Sequence, residues 1–355
     1  MQEDNITGVQ NASTSNHARS SYAILVPPLF CTIMAVGFIG NTLLVYTVLR
    51  WRDMKTPCNY LILNNAIADL GVALVAAPLR IVDFYYGWIL GETACQVLAP
   101  TQDVFVVVSV ITYTIIAFER YRAVMTPFKR HFSLKTIGIV AVFIWITAYL
   151  CTGLPIAMIL SVQMIQGKLL CVTKFASTTA MRLYEIYLVL VFLLVPLFLQ
   201  TLAYSILVYH LTGRNSKDKS LENSTSSRGR RIKKRRLVRV TIILIAFFQI
   251  CYIPRMVMMI IYDFAREITN NNYFVYVDLS VMALFYVKHV INPIILFTVS
   301  TEFRRHSPWR TTTCFHAIPR RFRVFSSRRS TMSTRLSFLG NNDNEGEAIN
   351  KETEF

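Results

Sequence analysis

Long apolar runs, each 20 residues or more and separated by short charged stretches, dominate the pattern of this chain. They fall at about 23–50, 57–80, 93–124, 136–161, 183–212, 237–263 and 274–299. A helix needs ~20 residues to cross ~30 Å of hydrocarbon, so every run is long enough to span a bilayer. In lipid the backbone has to satisfy its own hydrogen bonds, which leaves helices or closed barrels. The runs are too long and unbroken for barrel strands. The pattern therefore predicts an all-α membrane protein, a seven-transmembrane helix bundle over 23–299. Residues 300–312 read as a short amphipathic eighth helix lying along the membrane, with Phe303 and Trp309 as its apolar contacts. A polar N-terminus, 1–22, precedes the bundle, and a tail, 313–355, basic first and acidic last, has the composition of a disordered segment.

Composition supports this reading. Of 355 residues 54% are apolar and 16% charged, against roughly 25% charged in a soluble domain. The net charge of +17 is mostly a topology signal. With the N-terminus outside and the C-terminus cytoplasmic, the inner stretches hold 29 of the 37 basic residues, as the positive-inside rule requires. Eleven of these lie between Arg214 and Arg239, around the third inner loop. Nucleic-acid binding, the other reading of a basic chain, leaves seven apolar runs unexplained. The first 22 residues lack the basic stretch and apolar core of a cleavable leader, and they carry two sequons at Asn5 and Asn11. A third, at Asn223, falls in the basic inner loop, where it would go unused. No internal repeat is visible, which argues against a transporter.

Individual residues, one set per run and in order, make the chain specific. They are Gly40-Asn41; Leu61, Asn64, Ala68 and Asp69; Glu119-Arg120-Tyr121 with Pro127; Trp145 and Pro155; Pro196 and Tyr204; Phe248, Cys251 and Pro254; and Asn292-Pro293. Over about 23–312 the chain resembles the rhodopsin-like (class A) G-protein-coupled receptors, peptide receptors among them. The resemblance implies a plasma-membrane receptor, not an enzyme, that binds an extracellular ligand and activates a heterotrimeric G protein. It implies a disulfide between Cys95 and Cys171, pinning the second outer loop over the cavity. It makes Glu119, Arg120, Tyr121 and Tyr204 the coupling residues of the cytoplasmic end. Arrestin is an implied partner of the tail, whose Ser326, Ser327, Ser330, Thr331, Ser333 and Thr334 lie among basic residues. Membrane lipid is another, because juxtamembrane Cys314 suits palmitoylation.

The sequence departs from the family in four places. Lys234 stands where helix six usually supplies a second acidic partner for Arg120, and Leu296 where Asn-Pro-x-x-Tyr ends. Tyr252 replaces the usual helix-six Trp. Lys288 replaces an Asn one helical turn before Asn292. In the family, Asp69, Ser109 and Asn292 would hold a sodium ion. A carboxylate within a span is costly and functional by default. We expect the Lys288 ammonium to pair with Asp69 in place of that ion; the alternative is that it points elsewhere or pairs with His289.

The ligand cavity is expected between the outer halves of the helices. Gln102 occupies the position at which amine receptors carry Asp, and Asp103 is next, turned about 100° away. Opsins place their retinal Lys where this chain has Tyr286, so no cofactor is implied. Arg255 follows Pro254 and should face the cavity, with Asp103 as its partner when empty. Asp263, Glu267 and Asp278 would meet a basic ligand group. With Tyr252 and an outer loop long enough for a hairpin around Cys171, these residues favour a peptide, with an amine or other small molecule as the alternative.

Overall fold

The computed structural model describes residues 3–126, 132–165, 167–217, 225–265, 267 and 274–307, the side chains of 3–26, 84, 211–217, 225–234, 263 and 275 excepted. Among the described residues, seven helices are long and apolar enough to cross a membrane. They are α1 (Pro27–Arg50), α2 (Pro57–Asp83), α3 (Gly91–Met125), α4 (Leu134–Ile159), α5 (Thr178–His210), α6 (Arg235–Tyr262) and α7 (Tyr276–Val299). The helix of α1 runs back to Glu3, and that of α6 covers Thr225–Phe264. A short α8 (Thr301–Arg305) follows, with Phe303 buried against Phe297 of α7. Trp309, its other expected apolar contact, lies outside the described residues.

Local chemistry sets the helix boundaries. Thr56, Ser133 and Ser177 cap α2, α4 and α5, each side-chain oxygen accepting from a backbone N–H three residues on. Pro57 begins α2, where its missing N–H costs nothing. Widened π-turns at Val72–Ala76, Tyr149–Gly153 and Leu190–Leu194 each precede a proline, namely Pro78, Pro155 and Pro196. A proline ring clashes with the carbonyl four residues back, and a turn of wider pitch relieves that clash without ending the helix. Pro100 divides α3 into Gly91–Leu98 and Thr101–Met125.

Helices α2 and α3 form the centre, burying 67% and 56% of their apolar stretches, whereas α1, α4 and α5 bury 28%, 28% and 22%. The outward faces of the latter remain apolar, as at Ile39, Phe143 and Phe198, which suits lipid. Apolar burial gives helices little reason to associate in lipid, so polar links and close packing carry much of the specificity. Asn41 donates to the carbonyl of His289, joining α1 to α7; Gly40 lies where a Cβ would strike Pro293. Asn64 donates to Thr112 and accepts from the Trp145 indole, tying α2, α3 and α4. Gln200 donates to Thr114 and accepts from Gln249, tying α5 to α3 and α6.

Between α4 and α5 the chain forms an antiparallel hairpin, β1 (Leu160–Ile165) and β2 (Lys168–Thr173), with Val162 opposite Cys171. This is the hairpin expected around Cys171.

Candidate functional site

Cys95 at the start of α3 is bonded to Cys171 of β2, as the resemblance implied. Two further ties hold the hairpin. Trp88 N–H donates to Leu169 O at 2.6 Å, and Val162 N–H donates to Glu92 at 2.8 Å. Gly87 sits at φ +72°, and a Cβ there would collide with the same Leu169 carbonyl. The hairpin is therefore fixed over a cavity of about 390 Å³ between α2, α3, α5, α6 and α7.

Gln102, Asp103, Tyr252 and Arg255 line this cavity, as the sequence suggested. Two expected residues stand one bond behind the wall. The Tyr286 hydroxyl donates to Gln102 at 2.7 Å, and Asp278 pairs with Arg255 at 3.7 Å. The expected Arg255–Asp103 pair is thereby corrected: Asp278 on α7 takes the guanidinium. Asp103 faces the cavity with no hydrogen bond or ion pair among the described residues, its charged neighbours being Arg80 and Arg255.

Sequence reasoning missed Arg80, Asp83, Tyr184 and Glu185, which also line the cavity. Arg80 and Asp83 pair at 3.9 Å at the end of α2. For Arg80 and Asp83 the signal was present, since charged residues at the edge of an apolar run are informative. Tyr184 and Glu185 lie inside the run 183–212, where nothing in the linear pattern marks the face they occupy.

Beneath the cavity lies a buried polar centre. Asp69 is 1% exposed, and both its oxygens are engaged. His289 Nδ1 lies 2.7 Å from one; Asn292 and Asn65 donate to the other at 2.8 and 2.9 Å. Tyr113 donates to Asn292 at 2.7 Å, extending the network to α3. The expected pairing of Lys288 with Asp69 is not formed as a hydrogen bond or an ion pair among the described residues. Lys288 Nζ, buried and without a hydrogen-bond acceptor, lies 4.8, 5.6 and 5.0 Å from the ring centroids of Phe248, Tyr252 and Phe285. The reason is rotational: adjacent helix positions differ by about 100°, and His289, not Lys288, faces α2. Ser109, expected beside Asp69, donates instead to the Phe105 carbonyl.

At the opposite end Arg120 pairs with Glu119 at 3.2 Å, and its Nε donates to Cys58 Sγ at 3.1 Å. Arg120 and Leu296 line one small cleft there; Tyr204 packs nearby against Val124, Leu207 and Val238, and Tyr121 is half-buried. The Lys234 side chain, the Asn5 and Asn11 side chains, Cys314 and the tail lie outside the described residues.

Residues 40–296 match the family described as 7 transmembrane receptor (rhodopsin family), and the chain belongs to it. This makes it a multi-pass membrane receptor. Among curated proteins it is similar to the mouse (Mus musculus) Substance-K receptor, 27% identical over 88% of this chain and 82% of that one. It is also similar to the sheep (Ovis aries) Bombesin receptor subtype-3, 26% identical over 78% and 72%, and the mouse Neuromedin-K receptor, 28% identical over 77% and 60%.

Proposed function

We propose that this chain is a plasma-membrane receptor for an extracellular peptide, with the hairpin end outside and the Arg120 end coupled to a heterotrimeric G protein. The observation that carries the ligand class is the charge pattern of the cavity. Five charged side chains line it, Arg80, Asp83, Asp103, Glu185 and Arg255. Two guanidiniums set apart on α2 and α6, and carboxylates on α2, α3 and α5, suit a ligand with several polar groups along its length. Peptides have this character. The relatives support the reading, since those named above are by name receptors for Substance K, bombesin and neuromedin K.

Within the cavity Arg80 pairs with Asp83 and Arg255 with Asp278, while Asp103, beside both guanidiniums, has no ion pair of its own among the described residues. Its counterpart is a cationic group of the ligand, an N-terminal amine or a Lys or Arg side chain. A charge-assisted hydrogen bond contributes about 1.5–3 kcal/mol. The test is a calcium and cyclic-nucleotide screen of the receptor in cells against neuropeptides and monoamines. A peptide should activate it, and Asp103→Asn should weaken a basic peptide roughly 10- to 100-fold at unchanged surface expression. Activation by a monoamine alone would replace the peptide reading. Arrestin recruitment by the phosphorylated tail and lipid anchoring through Cys314 belong to the same proposal.

A further inference from the structure

In the rhodopsin-like family the acidic residue at the position of Asp69 implies a sodium ion, so the residues of this chain have to be tested against that ion. Sodium is a hard cation that needs a shell of free oxygen atoms. Here one Asp69 oxygen faces the His289 N–H at 2.7 Å, and the other faces the amide N–H groups of Asn292 and Asn65 at 2.8 and 2.9 Å. The Ser109 hydroxyl is turned to the Phe105 carbonyl. The small cavity beside Asn65 and Asn292, about 10 Å³, is lined by neither Asp69 nor Ser109. The free oxygens nearby, among the described residues, are the amide oxygens of Asn41 and Asn65, two neutral atoms beside a cavity of about 10 Å³. Both carboxylate oxygens face N–H donors, the wrong chemistry for a cation, and the residues do not fit the ion.

A carboxylate 1% exposed still needs positive charge nearby, because the low-dielectric interior penalises an isolated ion heavily. The chain supplies it. Lys288, 2% exposed, is the residue next to His289 on α7, and the His289 imidazole is the group bonded to Asp69. The Lys288 ammonium has no hydrogen-bond acceptor and is held by the faces of Phe248, Tyr252 and Phe285. Aromatic faces attract a desolvated cation without removing its charge.

We infer that this receptor carries its own cation: His289 occupies the coordinating face of Asp69, and the caged Lys288 ammonium supplies the balancing charge that a diffusible sodium ion would bring. A tethered cation has no concentration dependence. The resting bundle is therefore equally stable at all sodium concentrations. The cage also touches the ligand cavity, because Tyr252 and Phe285 line it. The cation thus sits between the cavity floor and the polar centre, whatever the ligand proves to be.

The experiment uses purified full-length receptor and sodium itself as probe. Thermal unfolding is followed from no sodium to about 150 mM, near physiological ionic strength, with N-methylglucamine chloride keeping ionic strength constant. The wild-type midpoint should stay flat within about 1 °C, whereas a bound ion would raise it by about 2–4 °C. Replacing both residues, Lys288→Asn with His289→Ser, should create a sodium-dependent rise of that size. A third arm covers the case in which this double variant does not fold. Asp69→Asn should lower the midpoint at every sodium concentration, because it strands Lys288, and Asp69→Asn with Lys288→Met should recover part of the loss. A sodium-selective rise in the wild type, or an Asp69→Asn variant as stable as the wild type, overturns the inference.

Discussion

At the scale of single residues, the end of the bundle opposite the hairpin turns on one guanidinium with two unequal partners. Glu119 offers Arg120 a full charge at 3.2 Å, and Cys58 offers a weak sulfur acceptor at 3.1 Å. Leu296, in the same small cleft as Arg120, has no hydroxyl to add. Glu119 is thus the main polar restraint on Arg120 among the described residues. Glu119→Gln should raise basal G-protein signalling on the order of 5-fold or more, the scale of a typical coupling free energy. Arg120→Ala should abolish agonist-driven signalling and leave ligand binding at the surface intact. Both follow from a second-messenger readout at matched surface expression; unchanged basal activity in Glu119→Gln would place the restraint elsewhere.

Among the elements, the hairpin depends on its anchors. The Cys95–Cys171 bond holds β2, and the Trp88 N–H to Leu169 O bond needs the backbone of Gly87 at φ +72°. Few residues other than glycine adopt that conformation cheaply, and here a side chain would also meet the Leu169 carbonyl. Gly87→Ala should therefore impair ligand binding as Cys171→Ala does, yet with the disulfide intact on a non-reducing gel. Normal binding in Gly87→Ala would show that the disulfide suffices.

The junction with α8 has a different chemistry. His306 stacks on Trp51 at 4.7 Å and bonds Asp53 at 2.7 Å, and this bond holds the Asp53 carboxyl below its ordinary value. A carboxylate depressed in the folded state contributes stability above its unfolded value, and the contribution disappears as pH falls through the folded one. Hydrogen exchange at Arg304 and His306, measured relative to the chemical exchange rate, should therefore report loss of the Asp53 contribution in acid. Protection from Asp53 should fall below the ordinary carboxylate value, ~3.9. Asp53→Asn should remove that acid dependence.

For the molecule as a whole, the decisive quantity is orientation, which the distribution of Lys and Arg predicts. An epitope at the N-terminus should be reached by antibody on intact cells, and one at the C-terminus only after permeabilisation. Glycosidase treatment should increase gel mobility, and the Asn5→Gln, Asn11→Gln double variant should already migrate at the treated position. The reverse epitope pattern would overturn both the orientation and the assignment of the Arg120 end to the G protein.

The sequence alone determined the number, order and approximate limits of the membrane helices. Burying a polypeptide in hydrocarbon demands ~20 apolar residues per crossing, and that demand is written locally. Asp69 was legible for a related reason, because a charge within an apolar run stands out against its surroundings, whereas the cystine, Arg120 and Asn292 were legible through the family resemblance. Only the tertiary structure decided which partner each group takes. Lys288 and His289 are neighbours in the chain, and the rotation of α7 puts His289 on Asp69 and sends Lys288 among aromatic rings. Arg255 chose Asp278 over Asp103, and Arg120 found Cys58, across gaps set by the packing of helices distant in sequence. A linear pattern specifies the face a residue occupies to within a helical turn; hydrogen bonds select partners to within a few tenths of an ångström.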